Sequence, residues 1–197
     1  PFDGKNYMQD APSEGIANFE SLLDLRCNVI NSGTIVKKKN VVEAGMFEWA
    51  NVRAQDFVLW LKIAKAGGKI GYQKKILLKY RVRIDSLTGN SFQKVQRELD
   101  VFDRISQMFD LNDFHKEIIK KHQKRLESDL EIEKGKVFLM QKNFVGARNS
   151  FTIANRQKHS VKLKLIIWCL KFAPGLLLKF YQSQRSDEIA FLPTTNK

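Results

Sequence analysis

Apolar and polar positions change their rhythm along this chain, and the changes divide it. Over residues 1–109 short β-rich runs alternate with short helical ones, which predicts a mixed α/β segment. "NVINSGTIV" predicts a strand, and "NVVEAG" one or two helical turns with Asn40 as cap and Gly45 as stop. "DFVLWLKIAKAG" repeats Phe57, Trp60, Leu61 and Ala64 at helical spacing, so one face turns to a core, and Gly67 ends the helix. "KIGYQ" and "ILLKYRVR" then predict strands, with "RIDSLTGNS" as the loop that follows.

Residues 110–157 take up a helical period. Phe114, Ile118, His122, Leu126 and Leu130 recur every fourth position. Beyond them Gly135, Phe138, Ala147, Phe151 and Ala154 match five consensus positions and so resemble a tetratricopeptide-like helical hairpin, in which small residues let two antiparallel helices approach and aromatics fill the groove. One hairpin is not stable alone, so it is expected to pack on the α/β part. No second copy follows, which argues against a repeat array.

The remainder, 158–197, is a basic amphipathic tail. Its uncharged runs, Leu165 to Leu170 and Phe172 to Leu178, fall well short of the ~20 residues of a spanning helix, and Pro174 and Gly175 break it in two. Lysines among Leu, Ile, Trp and Phe suit a helix lying in a membrane interface. They equally suit a pair of helices docked on the protein body.

Composition sharpens this picture. With 197 residues, 43% of them hydrophobic, the chain can bury a core and is not a disordered polymer. A net charge of +13 points to an anionic partner. Between Arg156 and Arg185 there are seven basic residues and no acidic one. Cys27 and Cys169 match no disulfide or metal spacing and suit a reducing compartment. His115, His122 and His159 lack the neighbours of a zinc site, and "AGGKIGY" ends a helix instead of opening one, so it is a C-cap and turn, not a phosphate loop. The chain opens on Pro1 without a leader-like segment, which suggests a piece of a longer protein.

Two features could carry chemistry. Alternation along "LLKYRVRID" puts Lys79, Arg81 and Arg83 on one strand face, either as a solvated edge that resists aggregation or as a diphosphate clamp. Asp56 opens the helix of Trp60. It serves either as a cap for the first-turn N–H groups or as a general base kept ionised by the positive helix end.

The ordered set Ser32-Gly33-Thr34, "EAGMF", "QDFVLWL", "GGKIGY", "YRVR" and "SLTG", spread over some sixty residues, resembles the family-two glycosyltransferases, the inverting, nucleotide-sugar-dependent enzymes of GT-A fold. The helical hairpin and basic tail resemble the C-terminal extension of bacterial members. The resemblance implies an α/β fold, the acceptor-side half of a GT-A domain, followed by the hairpin and tail helices.

It further implies that Asp56 is the catalytic base and that Gln55, Ser32, Gly33 and Trp60 line the acceptor and sugar site, although the spacing of Trp60 favours core. Gln55 stands where a Glu is common. Arg81 and Arg83 would contact the diphosphate; Arg83 replaces a common histidine, which weakens a metal-ligand role there. The family's Asp-x-Asp, which holds manganese or magnesium on the diphosphate, belongs upstream of this region, so no metal ligand is expected within the chain.

Partners implied are a nucleotide-sugar donor, a saccharide or lipid-linked acceptor and an anionic membrane surface, with no nucleic acid. The setting is cytoplasmic, peripheral at the inner face of the membrane, in assembly of a cell-surface polysaccharide or glycolipid. The rival readings are a helical-repeat interaction module, which wants a second hairpin, and a basic phosphate- or nucleic-acid-binding domain, which wants exposed aromatics interleaved with cations.

Overall fold

The computed structural model describes residues 16–48, 54–72 and 91–190. Helices dominate them: α1 (Phe19–Leu23), α2 (Lys38–Glu43), α3 (Gln55–Lys65), α4 (Ser91–Met108), α5 (Asp113–Met140), α6 (Phe144–Lys158), α7 (Val161–Phe172) and α8 (Pro174–Ala190). Strand pairing among these residues is confined to β1 (Ile16–Ala17) and β2 (Ile70–Gly71), antiparallel, with Ile16 opposite Gly71 and Ala17 opposite Ile70.

This overturns the expected α/β fold. A pair of two-residue strands is not the sheet of a GT-A half domain, and the described residues are mainly α-helical. Two local causes are visible. Asn31–Gly33, inside the expected strand "NVINSGTIV", forms a 3-10 turn, and the Thr34 hydroxyl donates back to the Ile30 carbonyl at 2.7 Å. Such side-chain bonding competes with a β ladder, and Ile35 beyond it is fully exposed, with no layer to pack on. In addition, Phe92, Val95, Leu99, Phe102 and Ile105 recur at helical spacing, and the 18-residue α4 takes up the end of the supposed α/β segment. The strand "ILLKYRVR" lies outside the described residues.

Contacts divide the chain into two units: 1–82 with 100–122, and 83–99 with 123–197. In the first, α1 begins with a capping box. Asn18 Oδ1 accepts from the Ser21 N–H at 2.8 Å, and Ser21 Oγ accepts from the Asn18 N–H at 2.9 Å. Five residues cannot hold a helix unaided, so α1 depends on packing Leu22 and Leu23 against α3. In α3, Val58 to Leu61 and Ile63 are all buried, a wider apolar surface than the single face expected from its spacing.

The double glycine after α3 closes it. Gly67 has φ +83°, its N–H reaches the Ala64 carbonyl, and the Gly68 N–H reaches the Ile63 carbonyl at 2.9 Å, the paired bonds of a Schellman ending. A Cβ on Gly68 would fall 2.6 Å from the Ile63 side chain, so the second glycine is required by close approach.

In the second unit the later turns of α5 pair with α6 in antiparallel sense. Gly135 faces the Phe151 ring, Ser128 Oγ donates to the Ala154 carbonyl at 3.1 Å, and Lys158 pairs with Asp129 at 2.7 Å. Asn143 caps α6 by accepting from the Gly146 N–H. Leu139, Ala147, Phe151, Ala154, Leu163 and Leu170 form one apolar cluster, through which α6 packs on α7 and α7 on α8.

Candidate functional site

Asp56 is the second residue of α3, not its cap. The cap position belongs to Ala54, which has φ 55° and no side chain able to accept a first-turn N–H. Asp56 does part of that work from inside the helix: its Oδ1 accepts from the Phe57 N–H at 2.9 Å. The side chain is half-buried, at the end of the helix where unpaired N–H groups concentrate positive potential. A carboxylate so placed has one oxygen held by the backbone and no cationic side chain recorded against it among the described residues.

The other expected site residues fall unevenly around it. Gln55 is the adjoining, half-buried first residue of α3. Trp60, one turn on, is only 4% exposed; its indole belongs to the core, and the Nε1 proton finds no acceptor among the described residues. The ring therefore presents no face on which a sugar could stack. Ser32 and Gly33 sit exposed in the 3-10 turn, and no hydrogen bond among the described residues joins them to Asp56. Arg81 and Arg83, the expected diphosphate contacts, lie outside the described residues, as does Lys79. No group of three His, Cys, Asp or Glu side chains able to hold a metal ion comes together among the described residues.

Two histidines have definite partners that sequence spacing did not assign. His115 Nε2 lies 3.2 Å from Glu20 Oε1, and His122 Nε2 lies 3.0 Å from Asp24 Oδ1. Both imidazoles are buried; Phe19 meets His115 edge-on, and Phe102 stacks on His122 with ring centres 5.1 Å apart. Lys121 at 3.3 Å and Arg26 at 3.3 Å also reach Asp24.

The Glu20 carboxyl is held below its ordinary range by a backbone hydrogen bond and then by His115. Burial pushes Asp24 up, but hydrogen bonds from His122 and Lys121 outweigh it, and the net direction is down. Spacing alone puts Glu20 and Asp24, four apart, on one side of their segment and His115 and His122, seven apart, on one face of α5, but it does not name either pair as the partner of the other. Aromatic rings close in the two imidazoles, whereas the Glu20 side chain stays partly open to solvent.

Elsewhere Glu48 lies between Lys62 and Arg104 at 3.9 and 3.8 Å. In the second unit a groove of about 460 Å³ between α6 and α7 is lined by Arg148, Lys164, Lys171 and Trp168 among others. No helix among the described residues is long and apolar enough to cross a membrane. No family model, curated protein or solved structure matches the chain.

Proposed function

We propose that the chain takes part in transfer of a sugar from a nucleotide-sugar donor to an acceptor hydroxyl with inversion, in assembly of a cell-surface polysaccharide or glycolipid, with Asp56 as the general base. The reading rests on the ordered motifs around Asp56 and not on a GT-A sheet. The observation that carries it is the placement of that carboxylate, half-buried at the N-terminal end of an eleven-residue helix and fixed through one oxygen by the Phe57 N–H.

In the reaction the second oxygen takes the proton of the acceptor hydroxyl. The acceptor oxygen forms its bond to the anomeric carbon as the bond from that carbon to the diphosphate oxygen breaks on the opposite face, and the nucleoside diphosphate leaves with the electron pair. The hydrogen bond at Oδ1 fixes the carboxylate's orientation, so the basic oxygen needs no search before reaction. The buried ring of Trp60 takes no part in this reading.

The test is Asp56→Asn in the enzyme that carries this segment together with its donor-binding part. Asparagine keeps an Oδ1 that accepts from the Phe57 N–H, so melting temperature should hold. Turnover should fall roughly 10²–10⁴-fold, the usual worth of a general base, or about 2.7–5.5 kcal/mol of transition-state stabilisation. Full turnover in Asp56→Asn would reduce this aspartate to a backbone acceptor and remove the proposal.

A further inference from the structure

Helix α7 is apolar on two opposite sides. Leu163 and Leu170 are buried against the cluster of Ala147, Phe151 and Ala154, with Ile166 and Ile167 packed partly behind them. At about 100° per residue, Val161, Leu165, Trp168 and Phe172 share a stripe roughly opposite that buried face, and all four are exposed, Trp168 at 59%. Trp168 and Phe172 touch, with ring centres 5.1 Å apart. Helix α8 repeats the arrangement: Leu178 is buried, while Leu176 and Phe180 are exposed on its other side.

Isolated exposed apolar residues need no explanation, but a run that leaves both helices with a second apolar face does. The charge around this face is of one sign. Lys162, Lys164, Lys171 and Lys179 lie on the two helices, and no acidic residue occurs between Arg156 and Arg185. On the α7 wheel Lys164 and Lys171 flank one side of the stripe and Lys162 the other. Lys171 Nζ lies over the Phe172 ring, 5.1 Å from its centre.

The groove between α6 and α7 adjoins the same stripe at Trp168 and collects Arg148, Lys164 and Lys171. No carboxylate is recorded against these three among the described residues. Such a rim of cations suits phosphate oxygens, and the apolar stripe suits acyl chains. Twelve residues of α7 span about 18 Å, too short for a hydrocarbon core of roughly 30 Å, so the helix would lie in the surface and not cross it.

We propose that α7 and α8 form a docking surface for an anionic lipid bilayer, with Val161, Leu165, Trp168 and Phe172 entering the acyl boundary and the Arg148–Lys164–Lys171 groove receiving lipid phosphate. This surface is separate from Asp56, and its test contains no sugar-transfer step.

The full chain is mixed with vesicles of phosphatidylcholine alone or with one third phosphatidylglycerol, and binding is read by sedimentation and tryptophan emission. Binding to the anionic vesicles is expected, falling as salt rises because the Debye length shortens from about 10 Å at 0.1 M to about 3 Å at 1 M. A blue shift should accompany it and be lost in Trp168→Phe, which keeps the apolar stripe but removes the reporter.

Lys164→Gln with Lys171→Gln should weaken binding to anionic vesicles roughly 25-fold, at about a fivefold loss for each cation near the surface. Leu165→Glu should weaken it similarly without altering the circular dichroism, since the residue is exposed. Equal binding to neutral vesicles, no binding to either, an unchanged Trp168 signal, or concentration-dependent self-association that hides Trp168 without lipid would each overturn the proposal.

Discussion

A single methyl at Gly135 should destabilise the second unit, even though alanine is the better helix former. The ideal Cβ at this position lies 2.9 Å from Cε1 and Cζ of Phe151 and 3.0 Å from Cε2. Carbon atoms pack at about 3.5–4.0 Å, so the ring or the helix must retreat by roughly half an ångström or more. Phe151 is 3% exposed and packed among Leu139, Ala147, Ala154 and Leu163, which leaves it little room.

Overpacking of this kind costs about 1–3 kcal/mol, against about 1 kcal/mol gained by replacing glycine inside a helix. Gly135→Ala should therefore lose up to about 2 kcal/mol net. Phe151→Leu removes the clashing ring edge and is destabilising by itself. In that background Gly135→Ala should become stabilising by up to about 1 kcal/mol. Urea denaturation of the four proteins of this cycle measures the coupling directly. A stabilising Gly135→Ala in both backgrounds would refute the close approach of α5 and α6 at this point.

Two further outcomes follow from the first unit. Glu20 and Asp24 both have folded-state values below their ordinary 4.5 and 3.8; their contribution to stability is thus full above those values and lost as pH falls through the depressed ones, because the unfolded chain then binds more protons. Melting temperature should drop as pH falls below the ordinary carboxylate range, with a shallower drop in Asp24→Asn; an equal slope in that variant would show that the His122 and Lys121 contacts do not set it. Gly67→Ala should cost about 1 kcal/mol through the left-handed backbone alone, since a Cβ there meets nothing within 4 Å; an unchanged denaturation midpoint would remove the Schellman ending from the forces that close α3.

What the sequence disclosed follows the range of the forces involved. The helix of Trp60 and its glycine stop were legible, because capping and helical periodicity act over a few residues. So were the small and aromatic positions Gly135, Ala147, Phe151 and Ala154, whose packing α5 and α6 display. The strand expected at "NVINSGTIV" failed because Asn31, Ser32 and Gly33 are turn formers, and β-branched neighbours say nothing about whether a partner strand exists. The period of the long α4 is present in Phe92, Val95, Leu99, Phe102 and Ile105, but it begins directly after motifs that point to strands and a loop, and local pattern alone does not mark where one regime gives way to the other. Pairing of His115 and His122 with Glu20 and Asp24 spans nearly a hundred residues, and no local pattern names such partners.

The tail shows a different limit. In the sequence, lysines among Leu, Trp and Phe fitted two arrangements equally, a helix in an interface and a helix docked on protein. The structure gives α7 both kinds of face at once: Leu163 and Leu170 dock on α6, and Val161, Leu165, Trp168 and Phe172 face outward. The two sides cancel in any measure of amphipathicity, so the ambiguity is a property of the helix itself. A helix docked through one apolar side needs no second one for stability, and solvent exposure of tryptophan and phenylalanine works against solubility. On the proposal made above, an anionic lipid surface would cover the outward stripe and the positive charge beside it together.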